Sequence, residues 1–225
     1  MRWDMPGGMR AWWVRHRLQS WGATVEEVTG PFPGAELVPE GRRSPITAVT
    51  IDAPPEDVWP WLVQMGWDRG GWYSWDLLDN AGRRSATAVH PEWQDLAVGD
   101  QLKFWAFGRV LDSYRVRVLE PPRFLGLYGY SDVRGRWLDP GAPRPPAYME
   151  ALWGFLLEEL PGGRTRLVVG GYQTFRPRWL EQIAPRLLLL VSWPMQARMM
   201  VVLKRNVERA AGASRPGPGR GAGRG

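Results

Sequence analysis

With 225 residues, no cysteine and a formal charge of +6, the chain is long enough for one domain with arms and a core that buries about 70% of its unfolded surface. The missing cysteines remove disulfides, thiolate chemistry and Cys-ligated metals, and they suit a reducing, cytoplasmic setting. Arg209, Arg215, Arg220 and Arg224 stand after the last acid, Glu208, and supply +4 of the +6; the remainder is too small to mark a nucleic-acid-binding face on the body.

Residues 1–20 carry arginines but neither an apolar run of signal length nor a small-residue cleavage site, so no signal peptide is expected. Residues 10–18, with Trp12, Trp13 and Val14, suit a short amphipathic helix. An arm packed on the body is the favoured reading there, and a membrane-surface anchor is the alternative. Residues 30–43 (GPFPGAELVPEGRR) are turn-rich and read as a loop crossing the surface.

The rest of the chain is organised around the stretch 46–80. Thr47, Val49 and Ile51 alternate with Ile46, Ala48 and Thr50, the two-residue period of a strand. Pro54 and Pro55 stop that strand and pre-set a helical first turn. Glu56 and Asp57 then fall where a helix N-terminus favours negative charge. Val58, Leu62 and Met65 recur at helical spacing, and Gly66 is a C-terminal stop. Pro60, inside this helix, predicts a bend or a short first turn. Gly70 and Gly71 then break the chain before a second short helix.

Residues 81–99 read as irregular. Leu102 and Phe104 alternate with Gln101, Lys103 and Trp105, and Tyr114, Val116 and Val118 alternate with Arg115 and Arg117, so two half-buried strands are predicted. A third runs over 124–128, and 131–146 is a long loop. The strongest hairpin joins 149–160 to 164–175 through Pro161-Gly162-Gly163. It places Trp153, Phe155 and Leu157 on one face of the first arm and Thr165, Leu167 and Val169 on one face of the second. Residues 178–210 are helical in pattern but interrupted by Pro185 and Pro194. The apolar run 187–191 falls short of the roughly 20 residues of a membrane span. Met195, Met199, Val202 and Asn206 mark one face of the last stretch, with Leu203 beside them. Residues 212–225 (GASRPGPGRGAGRG) are low in complexity and read as a disordered, solvated tail. The expected layout is an arm over 1–44, a folded body over 45–210 and a tail over 211–225.

Three segments, TIDAPPEDVWPWLVQMG (50–66), DRGGWYSWDLLDN (68–80) and PEWQDLAVGD (91–100), together with WGATVEEV (21–28) and MQARMMVVLKRNVERA (195–210), resemble the SRPBCC superfamily. These are START-like and Bet v 1-like proteins that include the polyketide cyclase/dehydrase group. The resemblance covers roughly residues 21–210. It implies an α+β helix-grip fold, in which a curved antiparallel sheet wraps a long C-terminal helix and the gap between them is an apolar ligand cavity.

The resemblance implies a binding module for a lipid, polyketide or isoprenoid. Fifteen tryptophans suit the wall of such a space, since each buried ring removes roughly 150–250 Å² from water. The ligand-contacting candidates are Trp67, Arg69, Trp72, Tyr73, Trp93, Trp153, Phe155, Met195, Met199 and Val202. The methionines adapt to varied apolar shapes, or are simply core. A cyclase- or dehydratase-type enzyme is the alternative, with Glu92, Tyr73 and His90 as the available acid–base groups. Gln64, Asp68, Asp76 and Gln94 complete the polar set, and loop-tying by Asp68 and Asp76 is favoured over a role in the site. With His16 and His90 as the only histidines, neither a metal site nor a serine triad is expected, and no cofactor is. A minor alternative is contact of the basic tail and the Trp-rich arm with RNA, ribosome or a membrane surface; no specific nucleic-acid partner is expected. Oligomeric state is not legible in the sequence.

Overall fold

The alternating runs become one antiparallel sheet. The computed structural model describes residues 20–106 and 108–214. Its elements in chain order are α1 (Val25–Thr29), β1 (Arg42–Arg43), β2 (Thr47–Ile51), α2 (Pro55–Val63), α3 (Asp76–Asp79), β3 (Gln101–Ala106), β4 (Arg109–Glu120), β5 (Phe124–Ser131), β6 (Tyr148–Leu160), β7 (Arg164–Arg176) and α4 (Leu180–Ser214). The curved sheet runs β1-β7-β6-β5-β4-β3, and β2 pairs β7 beside β1. The β6–β7 hairpin carries its register from Leu160↔Arg164 to Tyr148↔Arg176. Its turn needs glycine, because Gly162 and Gly163 have φ of +85° and +67°, a region where a Cβ is strained.

Two apolar layers cover the sheet. The inner face packs against α2 and α4: Leu102, Val116, Leu125, Leu127, Phe155, Leu157, Leu167 and Val169 join Val58, Trp61 and Leu62 of α2 and Met199, Met200, Leu203 and Val207 of α4. The outer face packs against residues 20–48, where Phe32, Ile46 and Ala48 meet Phe124 and Val168. A row of glycines makes this second contact. Gly126 pairs Gly154 across β5 and β6, and Gly154 pairs Gly170 across β6 and β7. A Cβ on Gly154 would lie 2.7 Å from the Phe32 ring and 2.9 Å from Phe124.

The described part of the arm is therefore a folded layer. A capping box opens α1, with Thr24 and Glu27 satisfying each other's backbone N–H groups. Arg166 on β7 donates to both Glu27 carboxylate oxygens, at 2.6 and 2.8 Å. The helix expected over 10–18 and most of the expected tail lie outside the described residues.

Two expectations change. Val118 does not share a face with Tyr114 and Val116: the β4–β5 register shifts between Val116 and Val118, and this bulge turns Val118 to the outer layer. The last helix runs on through Ser214, past the expected boundary at 211. Pro60 lies inside α2, which is one helix from Pro55 to Val63.

α4 bends by 45° between its parts Leu180–Leu187 and Ser192–Ala213. Pro194 accounts for the place, since it lacks the N–H that would bond the carbonyl of residue 190 and its ring clashes there. Beyond the bend, α4 is fastened along β2. Gln196 donates to Thr47 Oγ1 (2.6 Å), Lys204 to the Thr50 carbonyl (2.6 Å), and Glu208 accepts from the Asp52 N–H (2.9 Å). Among the described residues, no single helix is long and apolar enough to cross a membrane.

Candidate functional site

The cluster where the inner face meets the helices is built around the segment 64–80. Gly66 and Gly71 exchange backbone hydrogen bonds of 3.2 and 2.9 Å, which closes a tight turn. Gly71 has φ +78°. A Cβ on Gly70 would lie 2.8 Å from the Gln64 carbonyl oxygen. The turn delivers Trp72 and Tyr73 to the interior, at 1% and 0% exposure. Tyr73 adopts φ +57°, a conformation that costs a non-glycine residue about 1–3 kcal/mol and persists only where surroundings enforce it.

Trp72 stacks on Trp153 with centroids 5.5 Å apart and leans on Phe104 at 5.1 Å. Trp153 also meets Tyr114 at 5.7 Å and Phe155 at 4.9 Å. The Trp72 indole N–H donates to the Lys103 carbonyl at 3.2 Å, whereas the Trp153 N–H is buried without a partner. Five rings from the 72–73 turn and from β3, β4 and β6 thus line one stretch of the inner face. Trp153, Phe104 and Tyr114 are only partly buried. Burial nonetheless pushes the Tyr114 hydroxyl above its ordinary pKa.

Tyr73 points elsewhere. Its ring meets Trp61 at 6.0 Å, and its hydroxyl accepts from Gln64 Nε2 at 2.7 Å. Burial drives its pKa well above the ordinary phenol value, against that hydrogen bond. Gln64, wholly buried, is a hub. Its Nε2 also donates to the Ala88 carbonyl (3.1 Å), and its Oε1 accepts the His90 N–H (3.0 Å). The amide therefore ties α2 to the 88–94 segment.

The remaining candidates form a rim. Arg69 donates to the Trp93 carbonyl and lies 3.4 Å from Asp95. The Trp93 ring meets His90 in a tilted contact at 4.5 Å. His90 Nδ1 is 3.2 Å from Glu92 Oε1, with side chains 39% and 61% exposed. The Glu92 pKa is lowered, first by its own backbone N–H and further by His90. Trp67 sits at the sheet edge, stacked on Trp105 at 6.2 Å under the Arg83 guanidinium. On α4, Met199 is buried while Met195 and Val202 are half-buried.

The ten candidate ligand contacts thus divide. Trp72, Tyr73, Trp153, Phe155, Met199 and Val202 belong to one inner cluster. Met195 is half-buried on α4 outside that cluster, and Arg69, Trp93 and Trp67 lie on the rim. The three acid–base candidates do not share one space: His90 and Glu92 pair at the surface, and Tyr73 is enclosed. Asp68 pairs with Lys103 at 2.9 Å, and Asp76 accepts from Ser85 N and Oγ at 3.1 and 2.8 Å.

Sequence reasoning missed Asp79. It is wholly buried, and neither carboxylate oxygen has a hydrogen-bond partner of ordinary geometry. Burial, and then the neighbouring Asp76, push its pKa up from 3.8 to about 7; its own backbone N–H, Ser74 and Arg198 oppose this. The pattern D-L-L-D carries no sign of which acid faces inward. Among the described residues, no group of three or more acids and histidines is arranged to hold a metal. A separate cavity of about 430 Å³ lies at the N-terminus of α4, lined by Glu40, Arg42, Arg176, Arg178, Glu181 and Gln182. Its charges are largely paired: Arg176 bonds Glu40 and Glu181, and Arg42 lies 3.6 Å from Glu181.

No protein-family model matches the chain, and no curated protein matches it. Among solved structures, the chain is similar to a protein from Mesorhizobium loti, with 21% identity over 73% of this chain and 97% of that chain and a TM-score of 0.42. It is similar to a conserved protein from Geobacillus kaustophilus, with 14% identity over 72% and 93% and a TM-score of 0.43. It is also similar to a protein from Chromobacterium violaceum, with 20% identity over 76% and 98% and a TM-score of 0.39.

Proposed function

We propose that the chain is a helix-grip protein of the SRPBCC type that binds an apolar small molecule, of lipid, polyketide or isoprenoid class, between the inner face of the sheet and α4. The observation that supports this is the aromatic cluster on the inner face: Phe104, Tyr114 and Trp153 keep accessible surface although they form one cluster with the buried Trp72 and Phe155. An apolar, aromatic-lined space with few polar groups is the usual site for such a ligand.

The test is a titration of the purified chain with 1-N-phenylnaphthylamine, an uncharged fluorescent hydrocarbon amine. The expected result is saturable binding at one site per chain, weakened at least tenfold by Met199→Trp, which fills the space from the helix side. A folded wild-type chain that shows no saturable binding overturns the reading. The cyclase-type alternative requires Glu92, Tyr73 and His90 around one space, and their separation favours binding without chemistry.

A further inference from the structure

α4 is apolar on two sides. Met199, Leu203 and Val207 face the core. Ile183, Leu187, Leu190, Pro194 and Val201 recur every three, four or seven residues, the spacing of residues that share a helix side within each of the two parts. That side is open: Ile183 is 48% exposed, Leu187 60%, Leu190 69% and Val201 51%. Beside it, the 74–78 turn is held against α4 by Arg198, which donates to the Ser74 carbonyl at 2.8 Å and lies over the Trp75 ring at 4.1 Å. That turn adds Leu77 at 78% exposure and Leu78 at 55%. Two neighbouring elements thus share one exposed apolar face, larger in kind than the isolated apolar residues normal on a surface.

The charges around this face select its partner. Between Glu181 and Glu208 the helix has no acid, while Arg186, Arg198 and Arg205 are exposed cations. The acids of the 74–78 turn and the residue after it point away, Asp76 bonded to Ser85 and Asp79 buried, so a second copy packed about a two-fold axis would oppose these cations to one another with no exposed acid of the same face between them. An anionic bilayer supplies both an apolar interior for the leucines and negative headgroups for the arginines. We infer that this face of α4, with the 75–78 turn, docks the protein on the surface of an anionic lipid membrane. The helix lies in the interface rather than spanning it, and the opposite side of the same helix stays on the sheet.

The experiment is flotation of the full chain with vesicles of pure phosphatidylcholine and with vesicles containing 30% phosphatidylglycerol. Most of the protein is expected to float with the anionic vesicles in 50 mM salt, several-fold less in 500 mM salt, and little with phosphatidylcholine alone. The double variant Leu187→Glu/Leu190→Glu is expected to lose at least five-fold of the floated fraction with an unchanged circular dichroism spectrum. Val25→Glu, a control at an exposed site on α1, whose segment packs on the other face of the sheet, is expected to lose none. Three results would each overturn the inference. One is no flotation of the wild-type chain. Another is flotation that survives the double substitution, which assigns it to the basic segments outside the described residues. The third is a wild-type dimer that the double substitution dissociates, which assigns the face to a second copy.

Discussion

Replacing Asp79 with Asn tests the polar interior quantitatively. The aspartate carboxyl is wholly buried with both oxygens unpartnered, and its pKa rises from 3.8 to about 7, with burial the largest cause and Asp76 next. In the unfolded chain the group loses its proton near 3.8, while the native state holds it until about 7. Between those values the native state binds more protons, so stability falls as pH rises through the window and levels off above it. A rise of this size corresponds to about 4 kcal/mol of native-state stability lost between pH 4 and pH 8. Asparagine has nearly the same shape and no charge to bury at any pH, so Asp79→Asn should remove that slope. The assay is urea denaturation of both proteins from pH 4 to 8.5. At pH 4 the two are expected to agree within about 1 kcal/mol, and by pH 8 the variant should be more stable by about 3–4 kcal/mol. Stability curves that run parallel across the range would refute the reasoning, because Asp79 would then carry its charge in both states.

The remaining predictions concern packing and the arm. Trp61 is 1% exposed and Trp59 only half-buried, so Trp61→Ala should cost about 3–5 kcal/mol in chemical denaturation and Trp59→Ala clearly less; equal losses would contradict the assignment of Trp61 to the core. Arg166→Ala strips the bidentate partner from Glu27, whose side chain is 16% exposed, and should cost about 3 kcal/mol at pH 7. Although burial alone would raise the Glu27 pKa, Arg166 and the Thr24 N–H bring it below the usual range. The pair's stabilisation is therefore present above pH 4.5 and lost as pH falls through the lowered pKa, and the variant should lack that loss. Gly154→Ala should destabilise by about 1–3 kcal/mol, because the new methyl meets the Phe32 and Phe124 rings; a stabilised variant, the usual sign for alanine over glycine in a strand, would show that the arm does not pack there.

The hairpin β6–β7 is legible in the sequence because two independent signals agree on it: a two-residue period on both arms and a Pro-Gly-Gly turn between them. The corner at Pro54–Pro55 is legible for the same reason. Val118 is not, because a bulge is a backbone event that leaves the alternation of letters intact while reversing which face they occupy. Gly126, Gly154 and Gly170 carry no pattern of their own in the sequence; they meet only when three strands pair in one register, and only then do Gly154 and Gly170 form the bed for Phe32. The rim escapes sequence reasoning for a related cause. Arg69 and Trp93 are near the turn that carries Trp72, but the bond between the Arg69 guanidinium and the Trp93 carbonyl turns them to each other, and no local pattern encodes that pairing.

α4 shows where periodicity alone stops. The spacing of Met195, Met199 and Val202 identifies a buried side, and the apolar residues before Pro194 invite comparison only with the length of a membrane span. Both questions treat a helix as having one apolar face. A helix that is apolar all round reads as core or membrane, but α4 is neither. β2 fastens its second half through Thr47, Thr50 and Asp52, whose side-chain or backbone groups hold Gln196, Lys204 and Glu208. That fastening fixes the rotation of the second half about its axis. With that rotation fixed, burial of Met199, Leu203 and Val207 turns Val201 outward, while Ile183, Leu187 and Leu190 lie before or at the bend, and no other described element covers them. The exposure of Val201 is set by the β2 contacts rather than by the helix itself. Substituting Gln196 and Lys204 together should therefore loosen the outer apolar face as well as the inner one, measurable as faster hydrogen exchange over 196–207 with the sheet unchanged. Protection retained along that stretch would mean that the core methionines alone set the helix's orientation.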